Sequence, residues 1–336
     1  MLDINRNLKL KLSELNDLLN EKYRDIQDVN SDNMRHFIST HIGYIETLEK
    51  LDNRNLTEIY ESGGVLAVDG SKNRIGGAYP HFVELYQGLA KNSTKKESNL
   101  FEVDFYTPLY GEREREILKK IKKENPSREE MDTFVKNYKL ASIEVEAAIK
   151  GIEKFNPCVV MMDGSLIRYK IECSDNWQRL KRICEDKNIY LLGVTKDIKT
   201  NIIGNKLGEL EMVSPPLHCL YDRELMYGIL EYGEILLIKD ENISKEGLSS
   251  CFMRTSKAPS VIGVDILTSQ ERHIRKLANL VYTLTPKNSR GVPLWIDIVD
   301  KEVRITDKMM EMLMDKYIDK ELLEKLLIPE RKKRTL

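Results

Sequence analysis

The sequence predicts an α/β fold in which an antiparallel meander of strands comes first and parallel crossovers follow. Three observations carry that expectation. Two apolar runs, Val65-Leu66-Ala67-Val68 and Cys158-Val159-Val160-Met161-Met162, have the length and composition of buried strands. Each run ends in the same tripeptide, Asp-Gly-Ser, at 69–71 and at 163–165. Two more strand-like segments and a long helical stretch lie between them, so the order from residue 65 is strand, strand, strand, helix, strand, helix, strand.

Residues 1–60 read as helical. Leu8, Leu12, Leu15, Leu18 and Leu19 recur at helical spacing, and Ser31 or Asp32 is placed to cap a second helix carrying Phe37, Ile38, Ile45 and Leu48. Ser62-Gly63-Gly64 breaks the pattern ahead of the first strand. The second strand is expected from Tyr79 to Gly88. The third is expected from Leu100 to Tyr106, where Phe101, Val103 and Phe105 alternate with polar residues. A turn-rich linker, Lys91 to Ser98, joins the two. Short connections of this kind make a meander. Residues 111–126 read as a solvated, charged helix with Glu112, Glu114 and Glu116 ahead of Lys119, Lys120, Lys122 and Lys123. Ser127-Arg128-Glu129-Glu130 resembles a capping box and opens a helix running to about Phe155, where Asn156-Pro157 stops it.

After the second Asp-Gly-Ser the pattern predicts a helix from Trp177 to Glu185 and a strand from Ile189 to Val194. This succession is that of a ribonuclease-H-like core. Residues 206–300 add mixed strands and helices. Residues 306–328 read as helical, and Arg331-Lys332-Lys333-Arg334 makes a basic tail. The core is thus flanked by helical N- and C-terminal additions.

Composition narrows the function classes. The chain has 336 residues, 41% hydrophobic and 32% charged, as expected of a globular protein with a heavily charged surface. No apolar run approaches the roughly 20 residues of a membrane span. The first nineteen residues lack the apolar stretch of a signal peptide, so a cytoplasmic location is expected. Five widely spaced cysteines with no CxxC pair argue against a zinc site or a disulfide framework. His36 and His41 stand five apart and point to different faces of a helix, which does not suit a shared metal. A net charge of −1 is no signature of a nucleic-acid binder, although basic residues can still gather in one groove.

The chemistry resides in the two Asp-Gly-Ser turns. A given tripeptide of these residues arises by chance roughly once in 5,000 positions, so two copies at strand ends are unlike random turn signals. A carboxylate leaving the C-terminal end of a central strand stands where α/β folds bind ligands. If the strands are neighbours, Asp69 and Asp163 converge, repel, and raise each other's pKa. A divalent cation with a preference for oxygen ligands removes that penalty, and two such ions clamp an in-line phosphoryl displacement. A third carboxylate is expected on the preceding helix. Glu144 shares a face with Leu140, Ala147, Ala148 and Gly151, small enough to pack on a sheet, whereas Glu146 shares a solvated face with Ser142, Lys150 and Glu153. Glu144 is the better candidate.

Beyond these turns the sequence resembles the NurA nuclease family across most of residues 62–305. The resemblance is carried by Ala67-Val68-Asp69-Gly70-Ser71, the Glu144 helix, Met161-Met162-Asp163-Gly164-Ser165-Leu166 and Gly193-Val194-Thr195-Lys196. It continues in Asp222-Arg223-Glu224-Leu225, Gly233-Glu234, Phe252-Met253-Arg254 and Pro293-Leu294 with Asp300. It implies a nuclease domain over 61–305, between a helical region over 1–60 and a C-terminal helix and basic tail over 306–336. It places metal-binding carboxylates on Asp69, Glu144 and Asp163, with Asp300 as a fourth, and phosphate contacts on Lys196 and Arg254. It further implies a Mn²⁺- or Mg²⁺-dependent DNA nuclease using two ions, an exonuclease with possible endonuclease action. The implied assembly is a homodimer working with a HerA-type hexameric ATPase in DNA end resection or phage defence.

The sequence departs from the family at two places: Asp300 stands where a His is frequent, and Val292 where a Tyr is. An Asp remains a hard oxygen ligand, and Asp297 is its rival. Tyr106, Tyr110 and Trp295 are available for base stacking, although packing is the better-supported role for each. Two rival readings follow. An aspartyl-phosphate phosphatase would want a second Asp two residues after the nucleophile, where Ser71 and Ser165 stand. A catalytically silent DNA clamp or translocase adaptor would tolerate the departures but would have no use for the retained carboxylates.

Overall fold

The computed structural model describes residues 5–27, 31–95, 97–110, 112, 114–120, 126–210, 220–242 and 245–327. Its strands are β1 (Gly43–Thr47), β2 (Val65–Gly76), β3 (Phe82–Asn92), β4 (Asn99–Tyr106), β5 (Val159–Asp163), β6 (Tyr190–Thr195), β7 (Glu234–Ile238), β8 (Leu248–Arg254) and β9 (Ile262–Leu267). They form one sheet in the order β1-β7-β8-β9-β6-β5-β2-β3-β4. β2, β3 and β4 are the antiparallel meander, and β2, β5 and β6 run parallel. β9, β8, β7 and β1 extend the sheet antiparallel beyond β6. The centre is therefore a ribonuclease-H-like mixed sheet.

The helices are α1 (Arg6–Gln27), α2 (Ser31–His41), α3 (Asn53–Glu61), α4 (Arg115–Leu118), α5 (Arg128–Phe155), α6 (Leu166–Glu172) and α7 (Ser174–Asp186). They continue with α8 (Ile202–Glu209), α9 (Asp222–Leu225), α10 (Ile274–Leu284), α11 (Leu294–Val303), α12 (Asp307–Tyr317) and α13 (Lys320–Leu322). α5 begins at a complete capping box between Ser127 and Glu130. It ends at Asn156, whose φ of 48° puts it in the left-handed conformation that terminates helices. No helix among the described residues is long and apolar enough to cross a membrane.

Strand alternation sorts the core into two layers. Successive side chains of a strand point to opposite faces. Val65 and Ala67 of β2, Val159 and Met161 of β5, and Leu192 and Val194 of β6 face one layer, covered by Leu277 and Val281 of α10 and by Ile296 and Val299 of α11. Leu66, Val68, Val160, Met162 and Leu191 face the other, covered by Val145 and Ile149 of α5 and by Trp177 and Leu180 of α7. This parity decides which face of the sheet each site residue reaches.

The structure corrects several expectations. Residues 43–47 are an edge strand, not helix, so Ile45 pairs with Leu236 of β7, and Leu48 follows the strand into the core. Tyr44, Ile45 and Thr47 are strand formers, and the open edge of β7 outweighs a weak helical spacing. β3 lies three to four residues later than predicted and takes up the start of the linker. β2 does not stop at Asp69 but continues to Gly76, because β3 pairs with it along its whole length after β5 has ended. α6 was not expected and follows directly on the second Asp-Gly-Ser. Of the charged stretch at 111–126, Arg115–Leu118 is helical and residues 111, 113 and 121–125 lie outside the described residues, as do Cys219 and the basic tail.

Candidate active site

β2 and β5 pair in parallel up to Val68 and Met162, so the next residue of each, Asp69 and Asp163, stand side by side. Both share the parity of Val65 and Val159 and face the α11 side of the sheet. α11 brings Asp300 to the same place. One carboxylate oxygen from each of Asp69, Asp163 and Asp300 lies within 4.8 Å of the others, a geometry able to hold a metal ion. Asp297, the rival position, lies outside this group and pairs with Arg290 at 2.6 Å.

Ion pairs surround the cluster unevenly. Lys196, just beyond β6, places its Nζ 2.5 Å from Asp163 Oδ2 and 3.8 Å from Asp300 Oδ2. Arg290 donates to Asp300 at 2.9 Å. Asp69 has no ion-pair partner among the described residues; its Oδ1 accepts from the backbone N–H of Gly70 at 2.7 Å. The electrostatics follow. Burial, then the charges of Asp163 and Glu144, push the Asp69 carboxyl up to about 8. Burial also raises Asp163, and the charge and hydrogen bond of Lys196 offset only part of it. Burial acts upward on Asp300 too. There the hydrogen bond from Arg290 and the charges of Lys196, Arg290 and Arg304 win, holding it below the ordinary carboxylate range.

Glu144 approaches from the other layer. Ala147 and Ala148 seat α5 close against the sheet, and Glu144 is 1% exposed beneath Gly70. A Cβ on Gly70 would stand 2.5 Å from Glu144 Oε1 and 2.6 Å from its Cγ, so only glycine fits there. Glu144 Oε2 accepts from Arg168 Nη2 and from the Tyr169 hydroxyl, each at 2.6 Å. Glu144 therefore sits beside the three-carboxylate group without forming part of it. Glu146 points outward to Asn176 and Arg179.

The two serines differ. Ser71 Oγ accepts from the Ile305 backbone N–H at 3.0 Å and ties the segment after α11 to β2. Ser165 Oγ donates to Asp265 Oδ2, and the Leu166 N–H reaches the same oxygen at 3.2 Å. Asp265 is buried and also accepts from Lys245 and Ser250.

Arg254 does not join the site. Its guanidinium donates to the carbonyls of Ala258, Leu230 and Lys257 at 2.9, 2.8 and 3.0 Å. It lies at the same sheet edge as Asp163, with β9 and β6 in between. Three of its five N–H groups thus brace backbone carbonyls of the neighbouring loops, away from the carboxylate cluster. Val292 is fully buried in the α11 layer and offers no stacking surface. Tyr106 packs edge-on against Phe82, and Trp295 donates its Nε1–H to the Lys91 carbonyl at 3.0 Å, whereas Tyr110 is exposed. Arg168, Tyr169 and Arg290 had not been singled out. The signal for the first pair was their place on the helix directly after a turn, which returns residues five and six beyond Asp163 to it.

Solved structures match the chain at low identity and low TM-score. Endonuclease V of Ciona intestinalis, in complex with inosine-containing DNA, is 11% identical, with 84% of this chain and 96% of that one covered and a TM-score of 0.35. Endonuclease V of Bacillus subtilis is 11% identical, with 84% and 91% covered and a TM-score of 0.38. Argonaute of Kluyveromyces polysporus, with a guide RNA, is 10% identical, with 76% and 28% covered and a TM-score of 0.35. No curated protein matches the chain. The NurA domain model matches residues 63–305, from the turn ahead of β2 to the end of the Asp300 segment, and on that match the chain belongs to the NurA family of nucleases.

Proposed function

We propose that the protein is a metal-dependent DNA nuclease that hydrolyses phosphodiester bonds at the Asp69, Asp163 and Asp300 cluster. The observation that carries this reading is the convergence of three carboxylates within 4.8 Å on one sheet face. Three hard oxygen donors, one of them without a counter-charge, fit Mn²⁺ or Mg²⁺. Asp69, Asp163 and Asp300 would hold the metal, with Glu144 beside them for a second ion. Bound there, divalent ions supply Lewis-acid activation and lower the pKa of water.

The chain's own residues do the rest. Lys196, between Asp163 and Asp300, is placed to neutralise a phosphate oxygen. Burial of the cluster keeps its electrostatics strong. The retained Asp69, which has no ion pair among the described residues, favours catalysis over a silent clamp, since a buried carboxyl crowded by Asp163 and Glu144 is costly without a task.

The homodimer and the HerA-type partner belong to the same proposal. Exposed apolar residues support self-association: Phe101, Val103 and Phe105 on edge strand β4, and Leu8, Leu12, Leu15 and Leu19 along α1. Light scattering of the purified protein tests the dimer, and co-elution with a HerA-type ATPase tests the partner. Roles in end resection or phage defence, exonuclease or endonuclease action and a cytoplasmic location are part of the same proposal.

The deciding experiment is cleavage of single- and double-stranded DNA with Mn²⁺, with Mg²⁺ and with EDTA. Metal-dependent cleavage is expected. Intact DNA under every condition, with and without the ATPase, would leave the clamp reading standing.

A further inference from the structure

Three of the four carboxylates at the site carry a cation of their own: Asp163 has Lys196, Asp300 has Arg290 and Glu144 has Arg168. Arg168 is the odd one. It comes from α6 and serves the carboxylate that lies under the sheet. Its Nη2 holds Glu144 Oε2 at 2.6 Å and its Nε holds Glu172 Oε2 at 3.1 Å. Its side chain nevertheless keeps 30% of its surface open, against 1% for Glu144. Its Nη1 lies 3.7 Å from where a Cβ on Gly164 would stand, so it borders the second Asp-Gly-Ser turn and the cluster.

We propose that Arg168 is an exchangeable counter-cation. It neutralises Glu144 in the metal-free molecule and hands that carboxylate to a divalent ion when a nucleic-acid phosphate takes up the guanidinium. The inference rests on the metal-dependent nuclease reading and adds a coupling to it. A buried carboxylate with no cation is costly, so Arg168 is needed while metal is absent. A divalent ion at Asp69 would repel a guanidinium on the neighbouring Glu144. The open part of Arg168 gives it a way out to solvent, and its planar fork suits phosphate oxygens. The Tyr169 hydroxyl stays on Glu144 at 2.6 Å and keeps the carboxylate oriented after the exchange. Arg168 is then a competitor of metal and a ligand of DNA, and metal and DNA each tighten the other's binding.

The test measures Mn²⁺ affinity by calorimetry, with and without a phosphorothioate oligonucleotide that resists cleavage. The proteins are wild type, R168Q, R168K, and R179Q as a remote ion-pair control. Without DNA, R168Q is expected to bind Mn²⁺ roughly tenfold more tightly than wild type. R168K falls between them and R179Q matches wild type. The gain in Mn²⁺ affinity that the oligonucleotide gives wild type is expected to shrink in R168Q. Unchanged or weaker Mn²⁺ binding by a folded R168Q overturns the proposal and makes Arg168 a fixed orienting residue. If R168Q does not fold, R168K decides: Mn²⁺ affinity no tighter than wild type overturns the proposal. Absence of any Mn²⁺ binding by the wild type removes the metal reading, and the exchange with it.

Discussion

The two Asp-Gly-Ser turns are identical in sequence and dissimilar in use. The first lies inside a strand: β2 runs through it to Gly76, and its aspartate has no ion pair among the described residues. The second ends a strand: β5 stops at Asp163, Gly164 turns the chain with a φ of +125°, and the aspartate is paired with Lys196. The glycines differ in the same way. Gly70 is required for space, Gly164 for backbone conformation. A tripeptide therefore specifies which groups are present, while its pairing partners decide what they do.

Removing the carboxylates tests this comparison with the largest effect. Asp69→Ala and Asp163→Ala are each expected to lower the cleavage rate by more than about a thousandfold, about 4 kcal/mol of transition-state stabilisation. Their metal-free stabilities should part. Above about pH 8, where Asp69 is ionised, Asp69→Ala removes a buried carboxylate with no ion pair among the described residues and should raise the melting temperature, whereas Asp163→Ala breaks the ion pair with Lys196 and should not. Cleavage retained by either variant sinks the site. Equal melting shifts sink the distinction between the turns.

The glycines come next. Gly70→Ala drives a methyl group into Glu144 and should cost about 2–3 kcal/mol in denaturant unfolding, as overpacking does. Gly164→Ala meets only Arg168 Nη1, at an ordinary contact distance of 3.7 Å, and pays for its backbone conformation, about 1–2 kcal/mol. A reversed order would mean that Glu144 yields easily.

The serines give a smaller contrast. Ser165→Ala leaves a buried carboxylate oxygen of Asp265 short of a donor and should cost about 1–3 kcal/mol. Ser71→Ala loses one hydrogen bond to Ile305 at the surface of the sheet and should cost about 1 kcal/mol. Melting curves of the two variants compare them directly.

The smallest expected signal is in pH. Asp69 has a folded pKa of about 8 against an ordinary 3.8, so the folded state binds the extra proton between those values. Its contribution to metal-free stability is complete below about pH 4 and is lost as pH rises towards 8. The melting temperature of wild type relative to Asp69→Asn should therefore fall by a few degrees over that range, and Mn²⁺ should abolish the fall. A flat difference would show that Asp69 titrates normally.

Much of this was legible in the sequence because it depends on local pattern. The apolar runs before Asp69 and Asp163 announce buried strands, the capping box announces α5, and the small residues around Glu144 announce a helix face against a sheet. The succession of strands and helices from residue 65 to 194 followed from these elements. Other features depended on partners distant in sequence. β2 continues past Asp69 only because β3 is there to pair with it. Residues 43–47 are a strand only because β7 offers an edge. Arg254 reads as a free cation until the carbonyls of Leu230, Lys257 and Ala258 converge on it.

The sequence by itself determined the donor chemistry: two aspartates after buried apolar runs, a glutamate on a packing helix, and a late aspartate towards the C-terminus. Whether Asp69 and Asp163 converge depended on their strands being neighbours, and the parallel register of β2 and β5 places them side by side on one face of the sheet. Only the tertiary structure decided how these groups divide. α11 lies on that face and completes a cluster with Asp300. α5 lies on the opposite face and leaves Glu144 beneath Gly70 in the grip of Arg168. The physical reason is that a side chain's direction follows from local backbone geometry, whereas its counter-charge depends on which distant helix covers that face.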